Sequence, residues 1–591
     1  MITSADALTD GSTLSADLAV VGAGPAGIAI AIEVANKGFD VVLVESGYEE
    51  FDSNTQQLAE AADWNNALHA PMSMSVRRQL GGTSTIWGGR CVPYDRVDFE
   101  RRDHISNIPW PVTYDELLPY YQRACSWLQC GRTAFDTTQM PHLPPSVVPG
   151  LPEGAGSSAT FERWSLSTNF AREYGDLLKR SQRVRVIIGL TCTEVISDLG
   201  GTRVENLDCR TLEGKRVSIR ARDYVLACGG LETTRLLLAS RGPHGGALGD
   251  HSGHLGSWYM GHVGGVIAKV RFCTSPRSTI FGYERDIDGT YVRRRFSITS
   301  EAQRAHALPN TIAYLANPDL ADHRHRNGVL SLAYLTLRSP LGEVVTPTAH
   351  RFSAAGGGVP GRKADSVARA SVRAHLMNVA RDCPSVARFA VKFGTRRFVA
   401  GRRKVPGFFA AYSGENCYPL QYNGEQIPNR QSRVSLASDR DSVGMPRLNI
   451  DLRFSQADVD GILRCHEVWD NYLQSNSCGR LEYVSPDPLS VAWSMTGGGT
   501  HQLGTTRMAS KADDGVVNEH LAVHGVTNLF VASSSVFLTS SQANPTFMVI
   551  VLALRLADRL TNEFQSRPTL IVLSTRVAPL DNGGPKLGPA L

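Results

Sequence analysis

Residues 17–45 read DLAVVGAGPAGIAIAIEVANKGFDVVLVE. The apolar run Asp17 to Val21 predicts a strand, Gly22-Ala-Gly-Pro-Ala-Gly27 a glycine turn and Ile28 to Lys37 a helix. Gly38 ends that helix, and Asp40 to Glu45 returns as a second strand. A Gly-x-Gly-x-x-Gly run is weak by itself, since glycines often only make turns. Here it follows a strand, opens a helix and is trailed by Glu45, eighteen residues after Gly27. The three glycines then serve, in turn, the tight turn, backbone access for a pyrophosphate, and close helix–strand packing. The helix N-terminus offers its positive dipole end to phosphates, and Glu45 can bind ribose hydroxyls. Gly22, Gly24, Ala26, Gly27 and Glu45 are therefore candidate contacts of a dinucleotide. The fingerprint alone leaves NAD and FAD open.

Working outward, the pattern becomes irregular and rich in Gly, Ser and Trp as far as about Gly150. Strands are then expected at Val184–Ile188, Cys192–Ile196, Val204–Arg210, Val217–Ala221 and Tyr224–Ala227, followed by a Gly229-Gly230 turn and a helix over Leu231–Ser240. Residues 252–419 mix strands, loops and a basic helical patch. A last strand, Asn528–Ala532, precedes a loop and the apolar helix Thr546–Leu560. Nucleotide-domain elements thus lie at both ends of the sequence, around a large insertion. This late return favours FAD, because an NAD dehydrogenase commonly completes its nucleotide domain within a couple of hundred residues. The expected fold class is α/β with α+β insertions: a Rossmann-like FAD-binding domain built from both chain ends, with a β-sheet-plus-helices substrate domain. The expected divisions are 15–260 with a flavin-loop insertion at 46–150, then 261–490, 491–565 and a tail at 566–591.

The 591 residues are 42% apolar and 20% charged, a globular balance that excludes a disordered or fibrous chain. No run approaches the ~20 apolar residues of a membrane-spanning helix. The first twenty residues are acidic and polar, unlike a secretory signal. Eleven scattered cysteines without a Cys-x-x-Cys point to a reduced, cytoplasmic protein with neither a zinc knuckle nor any other metal site. Net charge is +5, yet Gly361 to Lys404 holds twelve Lys/Arg against two Asp, so the remainder is mildly acidic. Within that patch Arg369 and Arg373, then Arg388 and Lys392, are four apart, and Val372, Leu376 and Val379 form an apolar stripe. An amphipathic helix with a solvated basic face is the plain reading, and docking to an anionic membrane or an acidic partner the sharper one. Nucleic acid is not expected, because only Phe389, Phe393 and Phe398 could stack and no nucleic-acid module is present.

Gly81-Gly-Thr-Ser-Thr-Ile-Trp-Gly-Gly89 is a second glycine-rich loop. It reads either as a surface loop or as a cofactor cradle, in which Gly82 and Thr83 reach phosphate while the Trp87, Gly88 and Gly89 backbone lies along a flat ring. The Ala227–Gly230 turn with Glu232 is either another close approach or helix–strand packing. Val195 is a core valine by default, or an adenine contact through its backbone.

These blocks resemble the glucose–methanol–choline (GMC) flavin oxidoreductases. The resemblance rests on GAGPAG (22–27) with Glu45, GGTSTIWGG (81–89), IPWPVTYDELLPYY (108–121), LACGGLETTRLLL (226–238) and LGSWYMGHV (255–263). It continues through EQIPNRQSRVSL (425–436), HQLGTTRM (501–508), NLFVASSSVFLTSSQANPT (528–546) and LALRLADRL (552–560), in family order over most of 15–565. The C-terminal blocks are most similar to the pyranose-oxidase and bacterial sugar- or glycoside-oxidising branch. The resemblance implies FAD and a substrate domain over the flavin. In pyranose oxidases a histidine of the second glycine loop links covalently to the flavin. Ile86 stands at that position here, which implies non-covalent FAD.

The resemblance maps His501 onto the family's catalytic histidine and Asn544 onto its second His/Asn position. An alcohol C–H becomes hydridic only as its hydroxyl loses a proton, so a base titrating near neutrality is needed. Neutral His501 would take that proton while hydride moves to flavin N5, and Asn544 would hold the same oxygen. Ser533 and Ser534 match positions near the pyrophosphate and ribityl chain, with turn chemistry as their plain role. Pro545 and Thr546 open the last helix toward the flavin's O2/N1 edge, where the dipole would stabilise charge. His524 and His262 have weaker claims to the base. The reading is FAD-dependent oxidation of a secondary alcohol on a sugar or glycoside, with electrons passing to dioxygen, a quinone or a protein. Alternatives are oxidation of a non-sugar alcohol in natural-product tailoring, a cyanohydrin lyase that keeps FAD as scaffold, and a catalytically silent flavin- or partner-binding protein.

Overall fold

The computed structural model describes residues 1–166, 169–242, 246–345, 371–399, 405–406 and 411–566. The fingerprint strand runs over Ser12–Val21, and its apolar end, Leu18 to Val21, is buried. The next helix, Pro25–Asn36, begins with proline in its first turn and is closed by Gly38 at φ +97°, the left-handed backbone that suits glycine at a helix end. The Val41–Glu45 strand is fully buried because helices or loops cover both faces of the sheet.

The first sheet has the strand order Ile2–Ser4, Val184–Ile188, Val41–Glu45, Ser12–Val21, Arg216–Leu226, Val204–Arg210, Thr191–Ser197. Leu529–Val531 returns from the far end of the chain and pairs parallel with Tyr224–Leu226. Both chain ends therefore build one sheet. The helix Thr546–Ser566 packs on Pro25–Asn36, and Phe564 meets Phe39 edge to face at 5.0 Å. Arg216–Leu226 is a single strand where the pattern predicts two. Parallel pairing with Ser12–Val21 carries it through the polar Arg222-Asp223 step, and the Tyr224 hydroxyl accepts the Ala221 N–H at 2.8 Å.

The second sheet has the order Gly479–Tyr483, His262–Phe272, Cys417–Glu425, Thr311–Leu315, Tyr291–Ile298, Gly156–Trp164, Arg90–Cys91, with Tyr283–Arg285 on the edge of Tyr291–Ile298. Gly156–Trp164 falls in the stretch expected to serve the nucleotide domain, yet it pairs antiparallel with Tyr291–Ile298. Arg90–Cys91 makes the second glycine loop run straight into this sheet. Helix Gln456–Ser475 covers the outer face through Val459, Ile462, Cys465 and Trp469, all fully buried. Arg433–Arg440, Pro446–Asp451 and Asp63–Trp64 form a small third sheet.

A helical layer follows the Thr311–Leu315 strand: Gly328–Leu337, Pro340–Val345, Val372–Arg381 and Cys383–Gly394, continuing as a wide turn over Thr395–Val399. Of the basic segment 361–404, residues 361–370 and 400–404 lie outside the described residues, as does the tail beyond 566. The expected apolar stripe does not face the core. His375 and Asn378 are the buried residues of Val372–Arg381, whereas Val372 and Leu376 are exposed. His375 is drawn inward because Ser331 meets its Nδ1 at 3.0 Å and Tyr334 stacks on its ring at 4.4 Å. Among the described residues no helix is long and apolar enough to cross a membrane.

Candidate active site

A cleft of about 2660 Å³ runs from the fingerprint turn to the second sheet. Gly22, Gly24, Ala26, Glu45, Gly82, Thr83, Trp87, Gly88, Ser533, Ser534, Pro545 and Thr546 all line it, as do His501 and Asn544. The cradle accepts a dinucleotide because it has no side chains where a pyrophosphate would lie. Gly22 has φ +99°, and a Cβ there would stand 2.6 Å from the Ala227 carbonyl oxygen. A Cβ on Gly82 would stand 2.9 Å from Gly24 Cα, so the second loop closes directly over the first. The Gly81 N–H donates to the Ala23 carbonyl at 2.8 Å and holds that closure. Gly27 lies behind the cleft as a packing glycine, since a Cβ would overlap the Gly22 carbonyl oxygen at 1.9 Å.

Glu45 has a structural part as well. One carboxylate oxygen accepts the Ala23 N–H at 2.8 Å and the other the Gly47 N–H at 2.9 Å. Burial pushes its carboxyl up, against the lowering by these two N–H groups and by the Arg78 charge. Glu45→Gln turns one acceptor into a donor facing an N–H. The expected result is a loss of ~1–3 kcal/mol in thermal stability, the cost of an unmatched buried donor, together with lower FAD occupancy at limiting FAD. Unchanged occupancy would remove Glu45 from the nucleotide site.

At the far end of the cleft the two halves of the chain meet. Met260 and Leu503 pair across an antiparallel bridge, each N–H donating to the other's carbonyl at 3.0–3.1 Å. Continuing that register sets His262 opposite His501, and their Nδ1 atoms lie 2.9 Å apart. One of these nitrogens must carry hydrogen and the other a lone pair. Burial first, then the His501 and Arg90 charges, hold His262 well below the ordinary histidine range, against the raising by the Ser540 and Ala543 carbonyls. His262 Nε2 is buried and meets no hydrogen-bond partner among the described residues. When His501 Nδ1 is the donor and His262 Nδ1 the acceptor, His501 Nε2 keeps its lone pair. Burial first, and the Arg90 charge second, lower His501 to about 4, below the near-neutral value expected of the base from the sequence, so the imidazole is neutral at ordinary pH.

Asn544 is held as firmly. Its loop is tied residue by residue: Tyr94 donates to the Ser540 carbonyl at 2.8 Å, Ser541 to Asp98 at 2.6 Å, and Asn423 to the Gln542 carbonyl at 2.7 Å. Arg90 Nη1 donates to Asn544 Oδ1 at 2.7 Å. A guanidinium can only donate, so the amide oxygen must face Arg90 and the NH₂ group is left to donate elsewhere. Arg90 Nε pairs with Glu162, which is also the partner of Arg293. Arg90 follows the quoted glycine loop directly, yet nothing in its spacing distinguishes it from a surface arginine. Glu162 and Arg293 carry no local signal at all; cross-strand register makes them neighbours.

Two residues named from the sequence, Val195 and His524, lie off the cleft. Val195 is fully buried, does not line the cleft, and already donates its N–H to Ser240 Oγ at 2.9 Å. The cleft wall in that strand is Thr191 and Cys192 instead. His524 also lies off the cleft, its Nε2 against the Ala509 carbonyl at 3.0 Å. The Ala227–Gly230 turn and Glu232 do line the cleft, and Glu232 pairs with Arg78 and Arg235.

A mostly parallel sheet with a glycine cradle, rejoined by the last strand and helix and roofed by a second antiparallel sheet, is the architecture of the FAD-binding oxidoreductases. Residues 17–64 match the FAD binding domain, and residues 428–553 match GMC oxidoreductase. These two segments are the C-terminal and FAD-binding domains of GMC oxidoreductases, FAD enzymes acting on CH–OH groups. The chain is 22% identical to 2-methyl-1,2-propanediol dehydrogenase of Mycolicibacterium austroafricanum, over 97% of this chain and 99% of that one. It is 21% identical to paromamine 6'-oxidase of Streptomyces fradiae, over 94% and 92% of the two chains. A shorter match, 33% identical, covers 23% of this chain and 25% of C-glycoside 3-oxidase from Arthrobacter globiformis. Among solved structures, pyridoxine 4-oxidase from Mesorbium loti shares the fold at a TM-score of 0.52 and 15% identity, over 92% of this chain and 98% of that one.

Proposed function

We propose that the enzyme oxidises a secondary alcohol on a sugar or glycoside to the keto product, with His501 as general base and Asn544 positioning the reacting oxygen. The observation that carries this reading is the pair of locks behind the cleft wall: His262 on His501 Nδ1, and Arg90 on Asn544 Oδ1. With His501 Nδ1 as the donor to His262, they leave one lone pair and one amide donor for a substrate hydroxyl. Bound FAD would supply the hydride acceptor. His501 Nε2 takes the hydroxyl proton, and the Asn544 NH₂ donates to the same oxygen as negative charge grows on it. Such fixed donors are worth most where water is excluded. The wall beyond carries Arg293, Lys269, Asn317 and Gln421, polar groups able to bind the remaining hydroxyls of a sugar. Two relatives are named for paromamine and C-glycoside oxidation, which supports a glycoside over the non-sugar diol named for the third. The test is a substrate screen without oxygen, read as bleaching of the flavin absorbance. A panel of glycosides that never bleaches it, while simple diols do, would defeat the sugar assignment.

The flavin is held without a covalent bond on this reading, because Ile86 lines the cleft where a linking histidine would be required. Acid precipitation is expected to release all the yellow colour into the supernatant. Colour retained in the pellet would reveal a link.

A further inference from the structure

The helical layer has an outward face that the described residues leave uncovered. An isolated helix is stable in water only when it buries an apolar stripe. On Cys383–Gly394 only Val386 is buried, while Val391 is 68% exposed. Phe398 and Val399, in the turn that follows, are 60% and 77% exposed. Val372, Leu376 and Met377 on the preceding helix, Leu341 and Tyr412 are exposed as well. Cations are interleaved with these groups. Arg373, Arg381, Arg388, Lys392 and Arg396 are exposed and form no ion pair among the described residues. The one carboxylate on the two helices, Asp382, faces inward and accepts the Gly328 N–H at 3.2 Å. The same layer roofs the cleft: Leu337, Leu341, Phe389, Phe393, Phe398 and Tyr412 line it, and three of these also reach the outer face.

We propose that this face seats the enzyme on a lipid bilayer containing anionic phospholipid, with the mouth of the cleft at the headgroup level. Helices presenting aliphatic and aromatic side chains among Lys and Arg fit the boundary between acyl chains and phosphate groups. The apolar groups enter the boundary, and the long cationic side chains reach back to the headgroups. A second copy of the chain is a poor occupant, because two surfaces of the same positive sign repel. Nucleic acid is a poor occupant, because phosphates gain nothing from Val391, Val399 or Leu376. The seat uses no residue of the catalytic pair, so it stands or falls independently of the proposed reaction.

The test is flotation of the full-length FAD enzyme with vesicles of phosphatidylcholine alone and of phosphatidylcholine mixed with phosphatidylglycerol. The expected result is binding to the mixed vesicles at low salt, weakened as salt screens the charges. Partition should fall about fivefold for each cation removed. The triple variant Arg388→Ser, Lys392→Ser, Arg396→Ser should therefore lose about a hundredfold. Val391→Ser with Val399→Ser should weaken binding through the apolar contribution at unchanged charge. These exposed side chains lie outside the cleft, so both variants should keep parental FAD content and parental flavin reduction in free solution. Flotation that ignores phosphatidylglycerol, absence of flotation, or equal flotation of the triple variant would overturn the seat. So would a concentration-dependent dimer that the triple variant abolishes, since it would assign the face to a second copy.

Discussion

His501→Ala is expected to retain FAD and to reduce it ~10²–10⁴-fold more slowly, the usual contribution of a general base. The reason is positional: of the histidine pair His501 lines the cleft, and its neutral imidazole, with Nδ1 turned to His262, has Nε2 free for a substrate proton. Asn544→Ala should lose less, because the amide orients the oxygen without taking the proton. The pH profile supplies a separate check. His501 is lowered to about 4 by burial and then by Arg90, so it stays unprotonated through mildly acidic solution. Flavin reduction should be flat from neutral pH downward and fall only as pH drops through about 4. The sign for stability is the same. The unfolded chain takes this proton below about 6.5 and the folded chain refuses it until about 4, so acid costs stability over that window. A parental rate in His501→Ala would leave the base assignment untenable, and an acid limb near 6.5 would show that burial and Arg90 do not lower this imidazole.

Arg90→Met should slow flavin reduction about tenfold to a hundredfold while FAD remains bound, the loss corresponding to a charge-assisted hydrogen bond of ~1.5–3 kcal/mol. Two effects add. Asn544 loses the donor that fixes its amide oxygen, and His501 loses the cation that helps keep it neutral. The second effect has its own signature, because the acid limb should move upward from about 4 toward the ordinary histidine range. Arg90→Lys should keep the limb low but recover only part of the rate. A lysine ammonium is a point charge and cannot hold Glu162 and Asn544 together in a rigid fork. A slower Arg90→Met enzyme with an unmoved acid limb would reduce Arg90 to a scaffold residue.

The dinucleotide cradle is legible in the sequence because everything it needs is local. Strand, glycine turn, helix and acidic strand end all fall within residues 12–45, and each is set by periodicity or turn chemistry acting over a few residues. The last strand and helix are legible for the same reason, and so is the tight glycine-rich approach to His501. Val195 is different: the pattern marks its strand but not the direction of its backbone groups, and Ser240 claims the N–H. The stripe Val372, Leu376, Val379 misleads because helical spacing says which residues share a face, not which face the neighbours will bury. A polar pair, His375 and Asn378, wins the inward side through Ser331, which meets His375 Nδ1 and accepts from Asn378 Nδ2 at 3.1 Å.

By itself, then, the sequence determined the elements at the two chain ends, the nucleotide cradle and the identity of the residues able to do acid–base chemistry. Tertiary structure decided their company. His262 and His501 are 239 residues apart, and Arg90 and Asn544 are 454 apart. Their meetings depend on the register of the Met260–Leu503 bridge and on the pairing of Arg90–Cys91 with Gly156–Trp164. A one-residue slip in either would turn the side chain to the other face, and no local pattern along the chain encodes that choice.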